Sequence, residues 1–251
     1  VFHALEVEGW SVTYLTDIAE LEKAIRSETV LVSLMLVNNE LGTILDYEVV
    51  LQLCEERGIC FHSDATQAIG KLSLSCLPHL LSFSGHKIYG PKGIGALIAR
   101  VPIQPISYGG GQERGLRPGT LPVPLIVGLA KAVEMIPEWL SKVSFYQDAK
   151  ERLSSYLALI NSPENSVPSI LNFTLKGADW EKMFQVLNGL AFSNGSACNA
   201  KTELPSHVLK ALGHSDEDAL ASGRISLGYF TTEEEIDRVC EILSQNLPKI
   251  L

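Results

Sequence analysis

The sequence is short of basic residues and has no long apolar run. Its 20 lysines and arginines are outnumbered by 29 aspartates and glutamates, which gives a formal net charge of −9. This balance argues against a general nucleic-acid binder, because phosphate contacts need a basic surface. The most apolar region, residues 121–136, is interrupted by two prolines and by Lys131 and Glu134, so it is unsuited to crossing a bilayer. We therefore expect neither a direct nucleic-acid partner nor a membrane anchor.

Cysteine is scarce as well, and no two cysteines have a metal-binding spacing. The five cysteines are Cys54, Cys60, Cys76, Cys198 and Cys240. An odd number without a C-x-x-C pair excludes a disulfide scaffold and a zinc ribbon, and favours reduced thiols in the cytoplasm or an organelle matrix. Cys54, Cys60 and Cys240 lie in apolar periodic segments and are expected to be buried side chains, whereas the environment of Cys76 stays open. Cys198 lies in a stretch of small polar residues.

The chain instead shows a regular alternation of short apolar runs and amphipathic stretches. With 251 residues, 46% of them hydrophobic, it can bury a substantial core. Strands are predicted at residues 11–15, 30–37, 59–63, 80–84 and 95–99, and helices at 17–26 and 46–57. This order predicts an α/β fold, a mostly parallel sheet flanked by helices, over a large domain of residues 1–135. A helical stretch at 124–159 spans the predicted boundary. The smaller α+β domain (136–251) then has predicted strands at 169–175, 190–193 and 224–229, and helices at 206–212 and 233–247.

Polar side chains follow three successive predicted strands. An amide pair, Asn38 and Asn39, follows the first; Asp64 and Gln67 follow the second; and the segment 84–87, Ser-Gly-His-Lys, follows the third. In open α/β sheets ligands bind beyond the carboxyl ends of the strands, so a site is predicted at this edge. A nucleotide-binding loop is excluded there, because a P-loop needs Gly-Lys-Ser/Thr where this chain has Gly90-Pro91-Lys92.

Six segments in the same order along the chain resemble the cysteine desulfurases, which belong to the class V aminotransferase group of pyridoxal-phosphate (PLP) enzymes. The segments are 37–42 (VNNELG), 64–67 (DATQ), 82–95 (SFSGHKIYGPKGIG), 109–120 (GGGQERGLRPGT), 194–198 (NGSAC) and 224–228 (RISLG). They span essentially the whole chain and together are far more specific than any one of them. The resemblance implies PLP fold type I and the branch whose cysteine lies on an extended loop. In that family a ring-stacking histidine and a phosphate loop precede the helix predicted at residues 1–9, so we expect the chain to lack the family's N-terminal part.

The resemblance implies roles for five residues around the cofactor. Lys87 would condense with the cofactor aldehyde, and a lysine amine must be partly desolvated or close to cations to do so at neutral pH. Asp64 would keep the pyridine nitrogen protonated, which lets the ring accept electrons. Gln67 would hydrogen-bond the ring hydroxyl, while Ser84 and His86 would bind the phosphate. Helix capping remains open for Asp64.

Four further residues are implied to bind substrate, partner subunit or sulfur. Asn39 would lie near the cofactor and the substrate carboxylate, although an amide there also suits a turn. Arg224 would pair with that carboxylate through its forked guanidinium, unless it is an ordinary surface arginine. Thr120 would reach the phosphate of the neighbouring subunit, which implies a homodimer. Cys198 would supply the thiolate that attacks the substrate sulfur.

The implied reaction converts L-cysteine to L-alanine and leaves a persulfide on Cys198, which is passed to a sulfur-acceptor protein of iron–sulfur cluster assembly or of a thiolation pathway. Two alternatives stay open: a selenocysteine lyase or related PLP lyase or aminotransferase, and a catalytically silent fragment that binds a partner. The remaining candidates have ordinary explanations. Lys92 is expected on the surface and His62 in the core; surface or capping positions are expected for His3, His79, His207 and His214.

Overall fold

The computed structural model describes residues 1–194 and 204–249. The strands are β1 (Leu31–Met35), β2 (Cys60–Asp64), β3 (Leu80–Ser84), β4 (Gly95–Ala99), β5 (Ile170–Thr174), β6 (Ser193–Asn194) and β7 (Ser222–Ser226). The helices are α1 (Phe2–Val7), α2 (Leu21–Ala24), α3 (Tyr47–Arg57), α4 (Val123–Glu134), α5 (Ile136–Leu140), α6 (Val143–Ser154), α7 (Trp180–Val186), α8 (His207–Ala211), α9 (Asp216–Leu220) and α10 (Glu233–Asn246). Within these residues no helix has both the length and the apolar character needed to span a membrane.

The first sheet has the strand order β1-β2-β3-β4. The β1–β2 and β2–β3 pairs are parallel, and β4 closes the edge as an antiparallel partner of β3. The predicted mostly parallel sheet is therefore confirmed. Gly95 is required where β4 begins, since a Cβ there would lie 2.5 Å from the carbonyl oxygen of Phe83.

Helix α3 covers one face of this sheet. It buries Tyr47, Val50, Leu51 and Cys54, which pack in the same cluster as Phe61 of β2 and Leu81 of β3. Burying apolar side chains of this size contributes roughly 1.5–3 kcal/mol each. The helix ends at Gly58, whose φ of 66° is the left-handed conformation that glycine adopts without steric cost. The predicted helix at 46–57 and the burial of Cys54 are thus confirmed.

The second sheet, β5-β7-β6, is antiparallel. Its central residues Leu171, Phe173 and Ile225 share a buried cluster with residues of α6 and α10, including Cys240, as predicted for that cysteine. Val167 and Ile170 pack with the core of the first sheet, so buried residues beyond position 135 contribute to both cores. The boundary near residue 135 remains a prediction.

Two predicted elements near the N-terminus are wrong. Residues 11–15 form no strand: the Oγ atoms of Ser11 and Thr13 accept hydrogen bonds from the Arg26 guanidinium at 3.0 and 2.8 Å, and the segment is mostly exposed. The predicted helix at 17–26 is reduced to a 3-10 helix, Ile18–Glu20, followed by the single turn α2. Only Leu21 of this region is fully buried, so little packing supports a longer helix.

The predicted elements of the C-terminal half differ in their bounds. The strand predicted at 224–229 is observed as β7, Ser222–Ser226. It ends there because the chain turns soon afterwards, where Thr231 N–H donates to Gly228 O. The strand predicted at 190–193 shrinks to the two residues of β6. Helix α9 is not predicted by periodicity, although Ser215 caps it and three acidic residues occupy its first turn, which are sequence signals for a helix start.

Candidate active site

The carboxyl ends of β1, β2 and β3 meet at one edge of the first sheet. Met35 pairs with Asp64, and Asp64 pairs with Ser82, so the three strands end side by side. The segments that follow them carry Asn39, Gln67 and Lys87. The topology therefore brings the predicted polar residues to the edge where ligands bind in this class of sheet.

Asp64 is the last residue of β2 and is half-buried. Its Oδ1 accepts a hydrogen bond of 2.9 Å from the backbone N–H of Thr66, which fixes the carboxylate at the start of the turn and leaves Oδ2 outside that bond. His62 precedes it on the same face of the strand, with ring nitrogens 2.8 Å from Ser33 Oγ and 3.0 Å from Ser82 Oγ. Burial lowers the pKa of His62, against the opposing charge of Asp64. The predicted packed role of His62 agrees with these contacts.

Lys87 lies on a 3-10 helix, Gly85–Ile88, that begins directly after β3. The residue is exposed, and its side chain helps to line a cavity of about 30 Å³ together with Lys71, Tyr89 and Trp139. A second ammonium is therefore close to it. The desolvation expected for a reactive lysine is therefore not found at Lys87, whereas a second lysine lines the same cavity.

The turn after Lys87 contains a residue with a strained backbone conformation, Tyr89. This residue has φ 60°, which costs a side-chain-bearing residue about 1–2 kcal/mol. This conformation is stabilised by ring contacts of Tyr89 with Trp139 and Phe230 and by a 2.6 Å hydrogen bond that Tyr229 N–H donates to the Tyr89 hydroxyl. The segment beyond β7 thus fixes the backbone that carries Lys87.

Gln67 lies in the turn after β2 and is bound by a lysine that sequence reasoning did not single out. Lys71 Nζ donates to Gln67 Oε1 at 2.9 Å and to the Gln67 main-chain oxygen at 3.2 Å. Burial and, to a lesser extent, the charges of Lys87 and Arg224 lower the pKa of Lys71 to about 8. The only sequence signal for Lys71 is its position four residues after Gln67.

Arg224, on β7, reaches the segment that follows β1. Its Nη1 donates a 2.6 Å hydrogen bond to the main-chain oxygen of Asn39. The neighbouring Glu40 is 3% exposed, and its carboxylate accepts a hydrogen bond from Ser206 Oγ. Burial raises the pKa of Glu40, opposed by the Ser206 hydrogen bond and by the charges of His207 and Arg224. The two sheets therefore meet at this point, and Glu40 is a second buried residue that the sequence did not mark.

The remaining predicted site residues have fewer contacts with the other candidates. Ser84 ends β3 and is half-buried, and His86 is exposed beside Lys87. Thr120 is exposed in the segment between β4 and α4, and the described part of the chain shows no hydrogen bond from it to the other candidates. Cys198 lies outside the described residues. Over residues 1–194 and 204–249, no group of three or more His, Cys, Asp or Glu side chains is arranged to hold a metal ion.

The other cysteines and histidines have structural surroundings. Burial raises the pKa of the Cys54 thiol to about 11 and also raises that of Cys60, which is only half-buried. His79 differs from its predicted surface role, because its Nδ1 accepts the Phe61 backbone N–H at 3.1 Å from a half-buried position. His3 is exposed, as predicted, and lies 2.9 Å from Glu6. These groups are not part of the candidate site.

The donor set fits a phosphorylated pyridine aldehyde. Lys87 offers the amine, and Asp64 offers a carboxylate oxygen at the end of the neighbouring strand. Lys71, Lys87 and Arg224 make the site cationic, and among the described residues no carboxylate lies within ion-pair distance of Lys71. A site with this concentration of positive charge is suited to an anionic ligand.

Comparison with known proteins agrees with this geometry. The family profile described as aminotransferase class-V matches residues 5–239. The chain belongs to the class-V aminotransferase family. It is 43% identical to the cysteine desulfurase IscS of Pectobacterium carotovorum and 44% identical to that of Serratia proteamaculans, with 98% of the chain matched in each case. The chain spans 66% of the length of these curated relatives.

Solved structures of similar proteins share the fold. A structure titled NifS-like protein overlaps 99% of this chain and 71% of its own, with a TM-score of 0.87 and 35% identity. A structure titled SspA in complex with cysteine overlaps 92% of this chain and 70% of its own, with a TM-score of 0.79 and 39% identity. The predicted fold type I of the class-V aminotransferase family is therefore confirmed.

Proposed function

We propose that the protein containing this chain is a PLP-dependent cysteine desulfurase. The observation that carries the proposal is the placement of three residues around the carboxyl edge of the first sheet. Lys87 follows β3 directly, Asp64 ends β2, and the Arg224 guanidinium of β7 donates a hydrogen bond to the Asn39 main chain after β1. The names of the relatives support the choice of reaction, since IscS proteins of 43–45% identity are named cysteine desulfurases.

Four residues of this chain are proposed to bind and orient the cofactor. When bound, PLP supplies an aromatic ring that accepts electrons from the bond being broken. Lys87 would hold the cofactor covalently and carry a proton between reaction steps, as its position directly after β3 allows. Asp64 Oδ2 would hold the ring nitrogen in its protonated form. Ser84 and His86 are the proposed phosphate-binding residues beside Lys87.

Arg224 is the proposed partner of the substrate carboxylate. A guanidinium presents several N–H donors in a rigid fork, so one can bind the Asn39 oxygen while others face a carboxylate. Asn39 is held against Arg224 by that same bond. This arrangement would select an α-amino acid, which carries a carboxylate at a fixed distance from its amine.

Cys198 is the proposed sulfur acceptor within the protein. The residues on either side of its segment lie near the proposed carboxylate-binding pair: Ser193 pairs with Arg224, and Ser206 donates to Glu40, which follows Asn39. The thiolate would attack the sulfur of L-cysteine, so that the C–S bond breaks, an S–S bond forms, and the carbon takes a proton. L-cysteine and a thiol thereby give L-alanine and a persulfide.

The proposal extends to partners. We infer a homodimer in which the exposed Thr120 contacts the cofactor phosphate of the neighbouring subunit, and a separate sulfur-acceptor protein that receives the persulfide sulfur. The cytoplasm or an organelle matrix suits thiol chemistry that needs a reduced Cys198.

The test uses the full-length protein with added PLP and L-cysteine. Wild type is expected to bind PLP with a visible absorption band and to form alanine with equimolar sulfide in the presence of a reductant. Lys87→Ala should lose the band and both products, whereas Lys92→Ala, at an exposed neighbouring lysine, should lose neither. Wild type without the band would contradict the proposal and favour a catalytically silent partner-binding protein.

The cysteine variant separates desulfurase from lyase. Cys198→Ala should keep the absorption band and lose sulfur release from L-cysteine. Full release by Cys198→Ala would instead favour a selenocysteine lyase or a related PLP enzyme, since such chemistry does not need the thiolate of this residue.

A further inference from the structure

We propose that Lys71 is a positioning residue that fixes the orientation of the Gln67 side chain, so that Gln67 is a hydrogen-bond donor toward an anionic oxygen in the site. The proposal deepens the function proposed above, and it rests on that function only for the identity of the anion. The contact between Lys71 and Gln67 is a property of the chain itself.

The orientation follows from the donor chemistry of the two side chains. An ammonium group only donates hydrogen bonds, so the atom that faces Lys71 Nζ at 2.9 Å must be the amide oxygen of Gln67. The amide NH₂ group then faces away from Lys71. Without this bond the two ends of the amide are nearly equivalent in shape, and either could face the site.

The backbone of the turn supports the same geometry. Ala68 and Ile69 N–H groups both donate to Ala65 O at 2.9 Å, and Lys71 N–H donates to Ala68 O at 2.9 Å. Lys71 Nζ also binds the main-chain oxygen of Gln67 at 3.2 Å. The ammonium is therefore held at two points of one residue, and the turn between them is closed by backbone hydrogen bonds.

The placement of Lys71 is unfavourable for the chain alone. Its partners are neutral amide oxygens, it shares a small cavity with Lys87, and among the described residues no carboxylate is within ion-pair distance. Burial, together with the charges of Lys87 and Arg224, lowers its pKa to about 8. An anion bound at the strand edge would offset this repulsion, which is the reason to place such a cation behind the site.

The first experiment needs no cofactor. In the full-length protein without PLP, NMR of the Gln67 side-chain amide should show two well-separated, restrained NH₂ proton signals. Lys71→Met removes the donor at similar length and should make this amide mobile, whereas Lys92→Met should leave it unchanged. A Gln67 amide that stays equally restrained in Lys71→Met would overturn the proposal.

The second experiment measures the affinity of the site for PLP. Lys71→Met should bind PLP about tenfold more weakly than wild type in equilibrium dialysis, because it loses one charge-assisted hydrogen-bond network and a cation. Lys71→Arg, which keeps the donor, should recover part of the affinity. Equal PLP affinity of wild type and Lys71→Met would contradict the proposal. If wild type itself binds no PLP, the proposed function fails, while the NMR experiment still decides the role of Lys71.

A wild-type titration covers the case in which Lys71→Met does not fold. The Lys71 Cε and Gln67 side-chain signals should titrate together with a common midpoint near 8, as expected for one ammonium bound to that amide. Titration of Lys71 without any response of Gln67 would also overturn the proposal.

Discussion

The partly buried ammonium of Lys71 makes the stability of this protein depend on pH in the alkaline range. Its pKa falls from the 10.5 of a free lysine to about 8, which corresponds to about 3 kcal/mol at roughly 1.4 kcal/mol per pKa unit. The folded state binds the proton less tightly than the unfolded state. The cost of the charge is therefore fully present below pH 8, and it is relieved as the pH rises from about 8 to 10.5.

Substitution of Lys71 isolates this effect. Between pH 7.5 and 10, wild type should gain about 2–3 kcal/mol of unfolding free energy relative to Lys71→Met, as measured by urea denaturation. Other groups that titrate there, such as the Cys54 thiol, are common to both proteins and cancel in the difference. Lys92→Met, at an exposed site, should show no such trend. A difference between wild type and Lys71→Met that stays constant across this range would show that folding does not lower the pKa of Lys71.

Three further predictions concern residues that shape the site. Burial raises the pKa of the Glu40 carboxyl above 4.5, so the unfolding free energy of wild type should fall as the pH rises through the pKa of the folded state. Glu40→Gln lacks this carboxyl and should not show that fall when urea unfolding is measured at several pH values. Parallel pH profiles of the two proteins would contradict this. Gly95→Ala should lower the thermal midpoint by several degrees, because the added Cβ meets the Phe83 oxygen at 2.5 Å, and an unchanged midpoint would show that β4 can shift freely. Tyr89→Phe should cost about 1–2 kcal/mol in urea unfolding, since the Tyr229 N–H loses its acceptor, and a stability equal to wild type would indicate a replacement partner.

The elements around the site could be predicted from sequence because their signals are local. The mainly apolar run at residues 30–37 and the shorter one that begins β3 indicate strands, and the polar residues directly after them indicate the carboxyl edge of the sheet. The lysine at position 87 is found by its place directly after such a strand. The resemblance to a known family then gives it a role that strand position alone does not.

The contacts that complete the site could not be predicted, because they join distant parts of the chain. Nothing local indicates that Glu40 meets Ser206, or that Arg224 reaches the Asn39 oxygen, across 166 and 185 residues. In the sequence Lys71 resembles an ordinary surface lysine. Its proposed role in orienting Gln67 depends on contacts that only the folded structure shows. The failed strand at residues 11–15 has the same cause: its alternation suits a strand, but in the described structure those residues bond to Arg26 rather than to a sheet.

The proposed covalent attachment of the cofactor to Lys87 can be tested by chemical trapping. The full-length protein is loaded with PLP, reduced with borohydride to make the linkage permanent, digested, and analysed by mass spectrometry. We expect a pyridoxyl adduct on the peptide that contains Lys87, and none on those that contain Lys71 or Lys92. An adduct on another lysine, or a protein with no adduct at all, would contradict it.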